Sequence, residues 1–289
     1  MTFLSPDWCD LPWSPWVPLN DSALRKSLPN GPGLYRVRAL DDDFLVYIGQ
    51  TGRRVRQRVG ELAQYSKDPD LMPFRDPHTG APALWAWHDA TGMEYECSGT
   101  VAPGEPIESK RWRHGCEAYL LWRYRCEFGS STLCNHGRFH PHYNISTSRK
   151  ERRRGGRLPT GESNIAGGPS AGPLRLEGMP ADEGWMGVTW SESVPLTLTT
   201  WHDLPAVPAL YRIVDAEAAS VVYVGEASSL QNRWKNHKML TLAGRSLAIS
   251  HTVLPMDTPK HRRLELENDL IGGYFAHYRD VPEFQILSI

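Results

Sequence analysis

The chain has 289 residues, 22% of them charged, a formal net charge of -1 and five cysteines. Its length is about twice that of a usual domain, so each half can bury its own core. The balanced charge excludes a globally basic nucleic-acid coat. Cys9, Cys97, Cys116, Cys126 and Cys134 are odd in number and irregularly spaced, unlike a secreted disulfide framework, and no run reaches membrane-spanning length. With no charged segment followed by an apolar one at Met1–Asp7, the expected location is the cytoplasm.

Taken in chain order, Trp13-Ser14 and Val17-Pro18-Leu19 come first. A predicted hairpin follows, Leu34 to Leu40 and Phe44 to Ile48, both rich in strand formers and separated by Asp41-Asp42-Asp43. Val55, Val59 and Leu62 then share one stripe of a predicted helix. After a Pro-rich stretch from Pro69 to Pro82, the segments Ala83 to His88 and Met93 to Val101 read as strands, and Arg111 to Phe128 as a helix closed by Gly129.

Residues 151 to 184 contain Arg152-Arg153-Arg154-Gly155-Gly156 and many further glycines with few apolar residues, so they read as a flexible, basic, Gly-rich linker. Beyond it the pattern repeats. Trp190-Ser191 and Val194-Pro195-Leu196 lie 177 residues after their counterparts. A second hairpin covers Leu210 to Val214 and Val221 to Val224, a helical stripe begins at Leu230 and Trp234, and a long helix spans Arg263 to Tyr278. Only Leu247 to Leu254 stands where the first half has its insertion, near 66–102. A repeat of this period marks duplication of a whole domain. The expected organisation is therefore a first domain over 1–150, a linker over 151–184 and a second domain over 185–289.

The two copies share specific side chains. Tyr35 and Tyr47 are twelve residues apart, in Gly33-Leu34-Tyr35 and Tyr47-Ile48-Gly49; Tyr211 and Tyr223 have the same spacing, in Ala209-Leu210-Tyr211 and Tyr223-Val224-Gly225. Arg58 and Arg233 follow on the first helix of each copy, with Arg54 and Arg56 nearby in one, and Lys235 and His237 in the other. Glu117 precedes Leu120, Leu121 and Tyr124, and Glu267 precedes Leu270, Ile271 and Tyr274, which puts each glutamate at the edge of an apolar helix face. A carboxylate placed there needs a cation or hydrogen-bond donor beside it.

These residues, in this order and twice over, resemble the signature of the GIY-YIG nucleases. The resemblance covers nearly a whole domain in each copy, roughly 30 to 150 and 206 to 289. It implies an α+β fold of two tandem GIY-YIG domains, each a three-stranded antiparallel sheet flanked by helices. It also implies hydrolysis of phosphodiester bonds in DNA. Glu117 and Glu267 would anchor one divalent metal, Mg²⁺ or Mn²⁺; Arg58 and Arg233 would hold the phosphate; Tyr35 and Tyr211 would act as the base for the attacking water, and Tyr47 and Tyr223 would orient phosphate or water. The family's asparagine corresponds to Asn135, with Asn144 as a competitor. Gln285 stands at the equivalent place in the second copy, and Ala209 replaces the first glycine. His237, four residues after Arg233, resembles the homing-enzyme version.

The basic run Arg149, Lys150, Arg152, Arg153 and Arg154 is a candidate for phosphate-backbone contact, as are Arg54, Arg56 and Lys235. Cys116, Cys126 and Cys134 with His136, His140 and His142 lack the paired spacing of a structural zinc site, so zinc is not expected. The resulting expectation is a metal-dependent endonuclease acting on duplex DNA in restriction or phage defence, one strand per domain, and able to work as a monomer. The competing expectation is a nucleic-acid-binding protein in which one or both sites have degenerated, leaving at most one active domain beside a recognition domain.

Overall fold

The structure is a computed structural model that describes residues 2–101, 110–197, 200–236 and 245–286. It is a mixed α+β protein with two four-stranded antiparallel sheets. The first contains β1 (Val17–Pro18), β2 (Gly33–Ala39), β3 (Leu45–Thr51) and β4 (Tyr95–Thr100) in the order β1-β4-β2-β3. Its helices are α1 (Val55–Leu62), α2 (Ala81–Thr91) and α3 (Lys110–Phe128). A short ribbon pairs β5 (Tyr143–Asn144) with β6 (Gly156–Arg157). The second sheet contains β7 (Val194–Pro195), β8 (Ala209–Asp215), β9 (Ser220–Ala227) and β10 (Leu247–Val253) in the order β7-β10-β8-β9, with helices α4 (Leu230–Asn236) and α5 (Lys260–Tyr278).

Two expectations about elements are corrected. The sheets have four strands rather than three, because each Val-Pro pair adds an outer strand to β4 or β10. Proline lacks an N–H and so reads as a strand breaker, but an edge position tolerates it. Ala83 to His88 belongs to α2 rather than to a strand. Pro82 lies in that helix's first turn, alanines fill its buried face, and Gly92 closes it in the left-handed region at φ 75°.

Each sheet is covered on both faces. In the first half, α1 and α2 pack on one face through Val55, Val59, Leu62 and Leu84. On the other face, α3 presents Trp112, Cys116, Leu120 and Leu121 to Leu34, Leu45 and Ile48. The second half repeats this with Leu230 and Trp234 of α4 on one face and Leu270 of α5 on the other.

The cores do not stop at the half boundary. Phe275 of α5 enters the α3 cluster and Trp122 of α3 enters the α5 cluster. The two long helices run antiparallel. Arg111 at the start of α3 holds Asp280 beyond the end of α5, and a Cβ on Gly272 would lie 2.8 Å from the Ala118 carbonyl. Arg125 near the end of α3 binds Asp269 at 2.9 Å and Glu265 at 3.2 Å, all three side chains at most 1% exposed.

Residues 151 to 184 are a docked strap rather than a free tether. Arg157 pairs in the ribbon, Asn164 caps a short turn at Ile165–Gly167, and the carbonyls of Ala171 and Gly172 accept from Arg125. The amides of Ala171 and Leu174 donate to Glu265 and Asp269 of α5. No described helix is long and apolar enough to cross a membrane.

Candidate active sites

In the β2–β3 pair, Tyr35 lies opposite Gly49 and Val37 opposite Tyr47. The two tyrosines therefore occupy one sheet face as diagonal neighbours, with rings 6.0 Å apart and nearly parallel at 20°. The β8–β9 pair repeats the register, Tyr211 opposite Gly225 and Ile213 opposite Tyr223, with rings 5.9 Å apart. The second glycine of each motif has a steric cause. A Cβ on Gly49 would stand 2.5 Å from Tyr35 Oη, and one on Gly225 would stand 2.7 Å from Tyr211 Oη.

The helix after each hairpin delivers a guanidinium to these hydroxyls. Arg58 interacts with Tyr35 and Tyr47 while donating to Glu61 at 2.9 Å and to the Pro77 carbonyl at 2.6 Å. Arg233 Nε reaches Tyr211 Oη at 3.5 Å and its guanidinium also interacts with Tyr223. Burial pushes Tyr35 and Tyr211 well above the usual phenol range, the neighbouring tyrosine adds to this, and the arginine opposes it.

Glu117 and Glu267 come from α3 and α5 and are half-buried. Each accepts a backbone N–H, from Gln50 and Glu226 respectively, the residue just after the motif glycine. Burial raises the Glu117 carboxyl to about 7, against the pull of Arg58. Glu267 is raised to about 8, by burial first and then by the nearby Glu226. Arg58 and Arg263 pair instead with Glu61 and Glu226, so among the described residues Glu117 and Glu267 make no ion pair. A half-buried hard oxygen donor without a cation fits a divalent ion. No group of three or more His, Cys, Asp or Glu side chains suited to a metal occurs among the described residues. An ion at either glutamate would thus complete its shell with water and substrate oxygens. Of the three cysteines considered for zinc, Cys116 and Cys134 are buried while Cys126 is exposed.

Asn135 and Gln285 occupy matching places against the strand that carries the second tyrosine. Asn135 accepts from the Ile48 amide at 2.9 Å and donates to the Ile48 carbonyl at 2.8 Å. Gln285 does the same to Val224, at 3.0 Å each way. Each amide is bonded to the residue that follows the second tyrosine and so ties β3 and β9 in place. The longer glutamine reaches the same backbone groups. Asn144 instead accepts from Gly156 in the ribbon.

Three residues were not singled out in the sequence. His78, from the insertion, places Nε2 2.8 Å from Tyr35 Oη while its Nδ1 accepts from the Gly80 amide at 3.0 Å. That donation assigns the ring proton to Nε2, and burial, with help from Arg58, lowers His78 to about 3, so the ring is neutral at pH 7. Arg113 and Arg263 each stand four residues before their glutamate. Arg113 donates to Gln50 at 3.2 Å and Arg263 to Glu226 at 2.6 Å. Their common spacing from the glutamates was a usable signal; His78 offered none, since it exists in one copy only.

Of the proposed nucleic-acid contacts, Arg54, Arg149, Lys150, Arg152, Arg153 and Arg154 are exposed and Arg56 is half-buried. Arg154 stacks on Phe74 at 4.1 Å. His237 and the side chain of Lys235 lie outside the described residues. Trp13 and Trp190 are core residues, carrying the buried Arg36 and Arg212 at 4.3 and 4.6 Å from their rings. Compared with known proteins, the chain matches no family model, and neither the curated proteins nor the solved structures give a significant match.

Proposed function

We propose that the chain is a DNA endonuclease of the GIY-YIG type with two tandem phosphodiesterase sites, acting in restriction or phage defence. One observation carries this reading: stacked tyrosines, an arginine at their hydroxyls and a half-buried glutamate without an ion pair are assembled twice from equivalent elements. Attack on a phosphodiester gathers negative charge on the non-bridging and departing oxygens. Arg58 and Arg233 supply a planar, permanently charged donor for those oxygens. Mg²⁺ or Mn²⁺ bound at Glu117 or Glu267 would act as Lewis acid and stabilise the leaving group.

Tyr35 stays protonated near neutral pH, so its role is to orient the water through its O–H rather than to act as the base that takes the water's proton. With His78 Nε2–H donating to its oxygen, the Tyr35 O–H is left to donate onward. Tyr47 and Tyr223 wall the same space.

A second reading, one cutting domain beside one recognition domain, is favoured by the differences in the second copy. There Glu226, paired with Arg263 at 2.6 Å, replaces Gln50 and sets a second carboxylate beside Glu267. Cleavage of supercoiled plasmid in Mg²⁺ separates the readings. Two working sites give linear product from wild type, nicked product from Glu117→Gln and from Glu267→Gln, and none from the double variant. If Glu267→Gln leaves linear product unchanged, the second site is not a cutter. If the double variant still cuts, the hydrolytic reading is wrong.

A further inference from the structure

Between the two halves lies a cleft of about 540 Å³ whose walls include Tyr47, Arg75, Arg138, Lys260 and His261. Tyr47 belongs to the first site. Lys260, the first residue of α5, also lines a second depression of about 390 Å³ that contains Arg233 of the second site, with Ser228, Ser229, Asn232 and Arg263. The two cavities share Lys260 as a lining residue.

Their unpaired charge is one-sided, Arg138 being already held by the buried Glu265 at 3.1 Å. No aspartate or glutamate is among the described residues lining the larger cleft. In the smaller one Glu226 is already bound by Arg263 at 2.6 Å. Arg75 and Lys260 are exposed and make no ion pair among the described residues. α5 begins here without a side-chain cap, so the positive end of its dipole adds to the lysine. The turn carrying the basic run docks beside Arg75: the Arg75 amide donates to the Thr147 carbonyl at 3.1 Å, and Arg149 and Arg154 lie against Phe74 at 5.9 and 4.1 Å. The overall charge of -1 therefore conceals a local basic track.

We propose that this interdomain track is the DNA-binding groove, with the sugar-phosphate backbone running from Tyr47 across Lys260 to Arg233; the assignment rests on the phosphodiesterase reading of those two sites. Arg75 and Lys260 bind phosphate and take no part in the chemistry. Their contacts are sequence-independent and weaken as salt rises.

The test is fluorescence anisotropy of a 5′-fluorescein 30-base-pair DNA duplex, titrated in EDTA over a range of NaCl, with plasmid cleavage in Mg²⁺ measured in parallel. Wild type should bind. Arg75→Ala with Lys260→Ala should bind about tenfold more weakly, with a salt slope shallower by about one per residue removed. Lys26→Ala, an exposed control in the first half, should bind as wild type does. Weakened binding by the double variant supports the groove even if no preparation cleaves DNA, in which case the hydrolytic reading alone falls. Unchanged affinity and slope in the double variant overturn the groove and leave the hydrolytic reading standing wherever wild type cleaves. A wild type that does not bind the duplex at 50 mM NaCl overturns the groove outright.

Discussion

Tyr35 crosses directly over Gly49, so closely that a methyl group on the glycine would stand 2.5 Å from the phenol carbon and oxygen. Gly49→Ala should therefore displace the tyrosine. The expected cost is about 1–3 kcal/mol in stability and roughly 100-fold in rate at the first site. Nicking by Gly49→Ala in a Glu267→Gln background checks it; an unchanged rate means that the position of Tyr35 is immaterial.

His78 should act on the first site alone. In a Glu267→Gln background, His78→Ala is expected to slow nicking by about 10- to 100-fold, less than the roughly 10²–10⁴-fold of a direct acid or base because the histidine acts through Tyr35. In a Glu117→Gln background the same substitution should leave second-site nicking intact. A parallel fall in both backgrounds would mean that the histidine only holds the fold.

The raised carboxyls give a pH signature in the metal-free protein. Both glutamates have an ordinary value of 4.5 and folded values of about 7 and 8. Below pH 4.5 the proton is bound in folded and unfolded chains alike, and the stabilisation by the neutral form is complete. As pH rises toward 7 and then 8 the unfolded chain releases protons that the folded chain keeps, and stability is lost. Each group contributes at most about 1.4 kcal/mol per pH unit within its window. Urea unfolding in EDTA from pH 5 to 9 should show this slope in wild type and a flatter one in the Glu117→Gln, Glu267→Gln double variant. Equal slopes would exclude raised values at the two glutamates; Asp269, raised to about 7 by burial, contributes alike to both proteins.

Arg125 is the buried cation of the seam. Arg125→Met leaves Asp269 without its guanidinium and Glu265 with Arg138 alone, so a loss of about 3–5 kcal/mol is expected. Adding Asp269→Asn should recover part of it. Denaturant titration reads both, and a single variant within 1 kcal/mol of wild type would show the charge pair to be dispensable.

What the sequence displayed was whatever had been duplicated. The tyrosine pairs, the two arginines, the glutamates and the Asn135/Gln285 match could be aligned because each occurs twice, and the folded chain puts each pair in equivalent places. Features without a counterpart stayed hidden. His78 lies in an insertion and reaches Tyr35 by tertiary packing, which no local pattern encodes. α2 was obscured by proline at its start and by a buried face of alanine and tryptophan that shows no clean helical period. The strap looked like a tether because its composition is polar. Its amides and carbonyls in fact satisfy Arg125, Glu265 and Asp269, and composition does not reveal the partners of backbone groups.

The antiparallel packing of α3 against α5 relates the two halves much as the subunits of a twofold dimer are related, with a covalent link added. A dimer of separate chains comes apart on dilution, and its paired sites are lost together. Here the two constellations remain partners at any protein concentration, and the offset between them is set by the helix seam together with the strap docked on it. Replacing Gly272 or Gly115, whose missing side chains let the helices and the segment after α5 approach, would therefore alter that offset without touching either site.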